Sequence, residues 1–239
     1  MVNMFEDFLT KIGFSVSVIK KFSLNDIVKK SFSVLANSLS ESELVSLYQY
    51  KIPELTPDGQ CSIADKPADK PYDLTEILGI NKNELKNNPH TSRLLRLKNI
   101  IEELQKITQV DWLGIYRTIT NKKDEKVLVK ESYYGTISRP EFPLTKEFAK
   151  NSNNSTVGLT GKAVIVKDVM DYKGPYYECD NKVRSEFCCP ILDGDKVIGI
   201  IDAESFTPNF FTDGKIIQIA KVCYDLGLSH ICSSESGLS

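Results

Sequence analysis

Cys179 stands between Glu178 and Asp180, and the stretch Arg184-Ser185-Glu186-Phe187-Cys188-Cys189-Pro190 follows after a short loop. A second apolar run, Val197 to Ile201, ends in Asp202-Ala203-Glu204-Ser205. A carboxylate at the end of an apolar strand is costly unless it meets a cation, a proton or water. Clustered carboxylates repel one another, so one of them holds a proton unless a cation neutralises the group. A ligand ammonium would fit beside two such acids, and a protonated third could donate to a ligand oxygen. That is the chemistry of a pocket for a small zwitterion, with a thiol close by in sequence.

Strand parity sorts the candidates. Side chains alternate faces along a strand, so Trp112 and Tyr116 share one face, and Asp202 and Glu204 share another with Ile198 and Ile200. Glu186 lies on the same side as Cys188, and Cys189 points the opposite way. If these faces converge, three acids and two aromatics line one pocket, and the aromatic walls suit a methyl or sulfur-bearing ligand end. The plainer alternative stands beside it: Trp112 and Tyr116 as ordinary core aromatics, Asp202 and Glu204 as a strand end emerging into water. Cys179 is either a nucleophile or an inert loop thiol. Its acidic neighbours oppose thiolate formation, and Lys182 and Arg184 would offset them if they fold back. Cys188 and Cys189 read as small core residues, with Cys188 placed to act as a resolving thiol. Cys61, Cys223 and Cys232 read as structural or incidental, and His90 and His230 as surface or helix-end residues.

The elements that must position these residues are legible in the periodicity. Residues 1–50 read as short helices, with Phe5, Phe8, Leu9 and Ile12 on one face and Leu24, Ile27 and Val28 on another. Ser38 to Glu43 is a polar break with capping residues. Residues 51–91 read as a proline-rich irregular connector followed by a short helix capped near Asp73. From Ser92 an amphipathic helix carries Leu97, Ile100, Ile101, Leu104 and Ile107. Strands follow at Val110 to Arg117 and Val127 to Tyr134, then a hairpin of Glu186 to Leu192 and Lys196 to Glu204 turning at Asp193-Gly194-Asp195. Thr212 is placed to cap a closing helix, and residues 231–239 form a tail. Adjacent strands flanked by helices predict an α+β fold, an antiparallel sheet with helices packed on it.

The 239 residues carry a formal net charge of −2, which favours neither a nucleic acid nor an anionic membrane as partner. No apolar run reaches the length of a membrane span, and no secretory signal is visible, so a reduced cytoplasmic setting is expected. The irregular cysteine spacings and distant histidines argue against a metal site.

The residues Asp111-Trp112-Leu113-Gly114-Ile115-Tyr116, Gly158-Leu159-Thr160-Gly161-Lys162-Ala163, Cys179-Asp180, Ser185-Glu186 and Ile201-Asp202-Ala203-Glu204-Ser205 resemble a GAF domain. More narrowly, they resemble the GAF enzymes that reduce free methionine-(R)-sulfoxide, over about residues 92–230. The resemblance implies Cys179 as catalytic cysteine, Glu186, Asp202 and Glu204 as substrate-binding acids, and Trp112 and Tyr116 as pocket aromatics. It also implies no bound cofactor and, for turnover, an external thiol reductant such as thioredoxin or glutathione; a homodimer stands open beside a monomer. The chain departs from the family pattern in having Glu204 for the usual aspartate and in lacking two usual cysteines, at Thr160 and near Arg139. Leu144 to Thr156 reads as a polar insertion, and the segment between Ala163 and Val166 as shortened. The alternative implied by the same fold is a non-catalytic ligand sensor signalling through the N-terminal helices, which could equally serve as a dimerisation or partner surface.

Overall fold

The computed structural model describes residues 4–15, 24–31, 39–54, 66–176, 180–229 and 231–232. Three short helices open the chain: α1 (Met4–Ile12), α2 (Ile27–Ser31) and α3 (Glu41–Tyr48). The polar break before α3 is a capping box, with Glu43 N–H donating to Ser40 Oγ and Ser40 N–H to Glu43 Oε2. Strands β1 (Gln49–Tyr50) and β2 (Tyr72–Asp73) pair antiparallel and flank the connector, whose residues 55–65, Cys61 included, lie outside the described residues. Helix α4 (Leu74–Leu78) begins at Asp73, which accepts the Thr75 N–H at 2.9 Å. The long helix α5 (Pro89–Thr108) starts three residues before the expected Ser92. Asn88 caps it through the His90 N–H, and Pro89 has a backbone angle already suited to the first turn.

The remaining strands are β3 (Trp112–Thr120), β4 (Lys126–Tyr134), β5 (Glu141–Pro143), β6 (Val164–Val166), β7 (Ser185–Asp193) and β8 (Lys196–Ser205). They form one antiparallel sheet in the order β5-β4-β3-β8-β7-β6, the expected α+β architecture. Asp193 pairs with Lys196 across the two-residue turn Gly194-Asp195, and Gly194 takes φ 58°, which a hairpin turn of this length demands. Helices α6 (Lys146–Ala149) and α7 (Asn153–Thr160) lie between β5 and β6, and α8 (Asp213–Leu228) closes the fold. Thr212 is indeed its N-cap residue, but its side chain makes no capping hydrogen bond; its carbonyl accepts the Ile216 N–H instead.

One face of the sheet packs Leu113, Ile115, Phe187, Cys189, Ile201 and Ala203 against α5 and α8. Helices α1 and α2 extend that layer: the rings of Phe5 and Phe8 lie 5.4 and 5.5 Å from Tyr224 of α8. Lys11, at the end of α1, donates to Gly194 O and pairs with Asp195, tying the N-terminal helix to the β7–β8 turn. The opposite face carries Trp112, Tyr116, Leu128, Phe142, Cys188 and Ile200, with Val157 of α7 packed on it.

Two bulges alter the expected parity. On β8 the pairing shifts between Ile191 and Leu192, leaving Ile198 as the extra residue. Ile198 therefore joins the helix-side cluster and not the Asp202 face, because one unpaired residue reverses the alternation beyond it. On β4, Ile115 pairs with Ser132 while Tyr116 pairs with Lys130, so Glu131 is the extra residue. Glu131 points toward α5 and lies 2.8 Å from Arg117 Nε and 3.0 Å from Arg93 Nη2, all three buried. Burial alone would raise the Glu131 carboxyl; the charges of Arg117 and Arg93 outweigh it and hold the group below its usual range. His90, in the first turn of α5 and so at a helix end as expected, abuts this cluster and is half-buried; burial and the arginines lower its pKa to about 4.

Candidate functional site

The cavity lies on the sheet face away from α5 and α8. Its lining includes Trp112 and Tyr116 from β3, Glu186 from β7, Asp202 and Glu204 from β8, Ser138 and Phe142, and Ser152, Asn153 and Asn154 at the start of α7. The enclosed part of the cavity is small, about 10 Å3, room for about one water, and the rest of the space opens to solvent. The register explains the convergence: Trp112 is opposite Glu204, Gly114 opposite Asp202, and Glu186 opposite Glu204 across neighbouring strands. Five residues named from parity alone thus line one cavity.

The aromatic wall is fixed at both ends. Trp112 Nε1 donates to Thr136 O at 3.0 Å and Tyr116 Oη to Arg139 O at 3.3 Å. The two rings lie 6.4 Å apart, and the indole stacks on Tyr133 at 6.5 Å. Between them Gly114 presents only backbone; a Cβ there would lie 2.4 Å from Trp112 Cη2 and 3.1 Å from Tyr116 Cε2. Both aromatics are buried, so they serve as core and as cavity wall together.

The acids are held in a low-dielectric setting. Burial and then the Asp202 charge push Glu186 well above the usual carboxylate range. Burial pushes Asp202 up to about 7, against the Asn154 hydrogen bond and the Lys130 charge, which pull it down. Glu204, half-buried, is also raised well above its ordinary value, by burial and then by Asp202, Glu186 and Asp180. Three acids that cannot all ionise at neutral pH make a site that takes up a cation or keeps protons. Lys130 is the nearby counter-charge that parity did not reveal. It is fully buried, with Nζ donating to Ser138 O at 2.9 Å and Ser138 Oγ at 2.6 Å, and 4.3 Å from the Tyr133 ring centre.

The supposed polar insertion is an integral part of the site. Asn153 Nδ2 donates to Glu186 Oε2 at 3.1 Å, and Asn154 Nδ2 to Asp202 Oδ2 at 2.9 Å. Thr145 caps α6 and Ser152 caps α7, while Ser155 Oγ donates to Pro143 O, so polar side chains both build the two turns and face the acids. A Ser-Asn-Asn run reads as loop because these residues favour turns and caps; only their partners across the cavity reveal the second role.

Cys188 lies opposite Asp202, fully buried, its thiol pushed well above the ordinary range by burial and then by Asp202 and Glu186. Cys189 packs on the helix side, as parity required. Cys179 lies outside the described residues, as does His230. Arg184, just before β7, donates to both oxygens of Asp168 at 3.1 and 2.7 Å. Among the described residues, no group of three or more His, Cys, Asp or Glu side chains is placed to hold a metal ion, and no helix is long and apolar enough to cross a membrane.

The family model for the GAF domain matches residues 92–226, more than half of the chain. Among solved structures, the chain is similar to the type II free methionine-R-sulfoxide reductase from Thermoplasma acidophilum, at 20% identity over 56% of this chain and 90% of that one, with a TM-score of 0.49. It is similar to the GAF domain of an Acinetobacter phosphoenolpyruvate-protein phosphotransferase at 14% identity, over 64% and 86% of the two chains, with a TM-score of 0.50. A free methionine-R-sulfoxide reductase from Neisseria meningitidis, solved with its substrate, matches at 20% identity over 56% and 78%, with a TM-score of 0.45. No curated protein matches the chain. The Acinetobacter likeness bears on the fold alone. With its family model spanning α5 to α8 and an antiparallel sheet between them, the chain belongs to the GAF family.

Proposed function

We propose that the cavity binds a small zwitterion with an apolar, sulfur-bearing end, and that the protein reduces free methionine-(R)-sulfoxide there with Cys179 as nucleophile. The observation that carries this reading is the meeting of Glu186, Asp202 and Glu204 with Trp112 and Tyr116 on one cavity wall. Raised carboxyl pKa values make the acids suited both to an ammonium and to proton donation near neutral pH. In the reaction the Cys179 sulfur attacks the sulfoxide sulfur while a protonated carboxyl gives its proton to the sulfoxide oxygen. The oxygen passes to Cys179 as a sulfenic acid, and the substrate leaves as methionine, reduced by two electrons. Two external thiols, from thioredoxin or glutathione, then return Cys179 to the thiol, forming one disulfide and one water. Thiol-dependent methionine formation by the full chain should disappear in Cys179→Ser; undiminished turnover in that variant excludes the mechanism.

A second reading, a ligand-binding module without turnover, is favoured by Cys188. Its buried thiol is poorly suited to resolve a sulfenic acid, because a thiol far above its ordinary pKa supplies little thiolate. Ligand binding unaffected by Cys179→Ser, with no methionine formed, selects that reading.

A further inference from the structure

The two asparagines of α7 are not equivalent in their partners. Asn153 is held at both ends of its amide: Nδ2 donates to Glu186 Oε2 at 3.1 Å, and the Tyr172 hydroxyl donates to Asn153 Oδ1 at 3.2 Å. A hydroxyl donor on the carbonyl oxygen fixes which way the amide points, so its N–H groups must face the acid. Asn154 donates to Asp202 Oδ2 at 2.9 Å, and the Ala203 N–H also supports that carboxyl, but among the described residues no hydrogen bond of good geometry reaches Asn154 Oδ1 or Asp202 Oδ1. Both residues are buried, 6% and 3% exposed, and both line the cavity. Two buried acceptors call for a partner that brings N–H donors, since an acceptor buried without one has lost its water and gained nothing.

We propose that Asn153 and Asn154 are specificity-determining residues of this cavity, keyed by Tyr172 as a positioning residue, and that they leave Asp202 Oδ1 and Asn154 Oδ1 to receive the N–H groups of an unsubstituted ligand ammonium. The inference rests on the zwitterion reading above and sharpens it. An amide donates to a carboxylate without cancelling its charge, so Glu186 and Asp202 are oriented while remaining attractive to a cation. A lysine or arginine in the same place would orient them and abolish that attraction. The acceptors match a primary ammonium, which carries three N–H groups. An acylated nitrogen carries one and no charge, so peptide-bound and N-acylated compounds are disfavoured by chemistry as well as by bulk. Loss of the Tyr172 hydroxyl would let the Asn153 amide turn its oxygen toward Glu186, which opposes the ionised carboxylate that a ligand ammonium needs.

The test is calorimetric titration of the full chain with free methionine-(R)-sulfoxide and with its N-acetyl derivative, in wild type, Asn154→Leu and Tyr172→Phe. Wild type is expected to prefer the free compound by about tenfold or more, the amount one charged hydrogen bond supplies. Asn154→Leu should cut that preference to about threefold or less, and Tyr172→Phe should lower it with an unchanged melting temperature. A merely structural role would weaken both compounds together and leave their ratio alone. Binding with an unaltered ratio in Tyr172→Phe, or in a folded Asn154→Leu, overturns the inference and leaves the zwitterion reading standing. A wild type that binds neither compound overturns both.

Discussion

Glu186 and Glu204 are direct partners across β7 and β8, two acids set opposite each other in an antiparallel pair on a cavity wall. Like charges so placed destabilise a sheet. Both carboxyls are pushed upward in pKa, so the pair persists by holding protons in the absence of a cation. The arrangement opposes stability and favours binding.

Glu186→Gln should therefore stabilise the unliganded protein at neutral pH, by about 1 kcal/mol, because folding no longer has to retain a proton that the unfolded chain releases, while weakening ligand binding about tenfold. Urea unfolding and calorimetry on the same samples check both directions. A loss of stability would show that the acid contributes structurally more than its repulsion costs.

The pH dependence follows from Asp202, whose pKa rises from its ordinary 3.8 to about 7 on folding. A group raised on folding stabilises fully below its unfolded pKa, and that contribution is lost as pH rises through the folded value. Between about pH 4 and pH 7 the wild type should lose stability, on the order of a few kcal/mol, relative to Asp202→Asn, which cannot ionise. Chemical unfolding of the two proteins at pH 4 to 8 measures the difference; parallel curves would refute it.

Gly114→Ala should disturb the aromatic wall, since its Cβ would lie 2.4 Å from Trp112 Cη2. Overpacking of this kind costs about 1–3 kcal/mol. Trp112 is the single tryptophan of the chain, so its fluorescence maximum reports the displacement directly. An unshifted maximum with unchanged stability would mean that the indole has room elsewhere.

Glu131→Gln should leave Arg93 and Arg117 buried beside a neutral partner, costing about 3–5 kcal/mol at pH 7. Because the folded Glu131 pKa is depressed, the wild-type advantage is present above the unfolded value, about pH 4.3, and is lost as pH falls through the folded one. Unfolding curves at neutral and acid pH would reveal an advantage that does not shrink.

The amino-acid sequence by itself determined the faces of the strands and helices. Alternation with a period of two placed Trp112, Tyr116, Glu186, Asp202 and Glu204 on the inner faces, separated Cys188 from Cys189, and outlined α1, α5 and α8 through their apolar stripes. These are local properties, carried by residues two to four apart. Tertiary structure decided what depends on segments meeting across the fold. Asn153 and Asn154 gained their meaning from Glu186 and Asp202, more than thirty residues away. Ile198 changed sides, and Glu131 became the centre of a buried ion cluster, because strand pairing placed a bulge at each position. Lys130 became the nearby cation only once β4 was set beside β3, which lies next to β8. Pairing partners and bulges are chosen by the energy of the whole sheet, which no local pattern encodes.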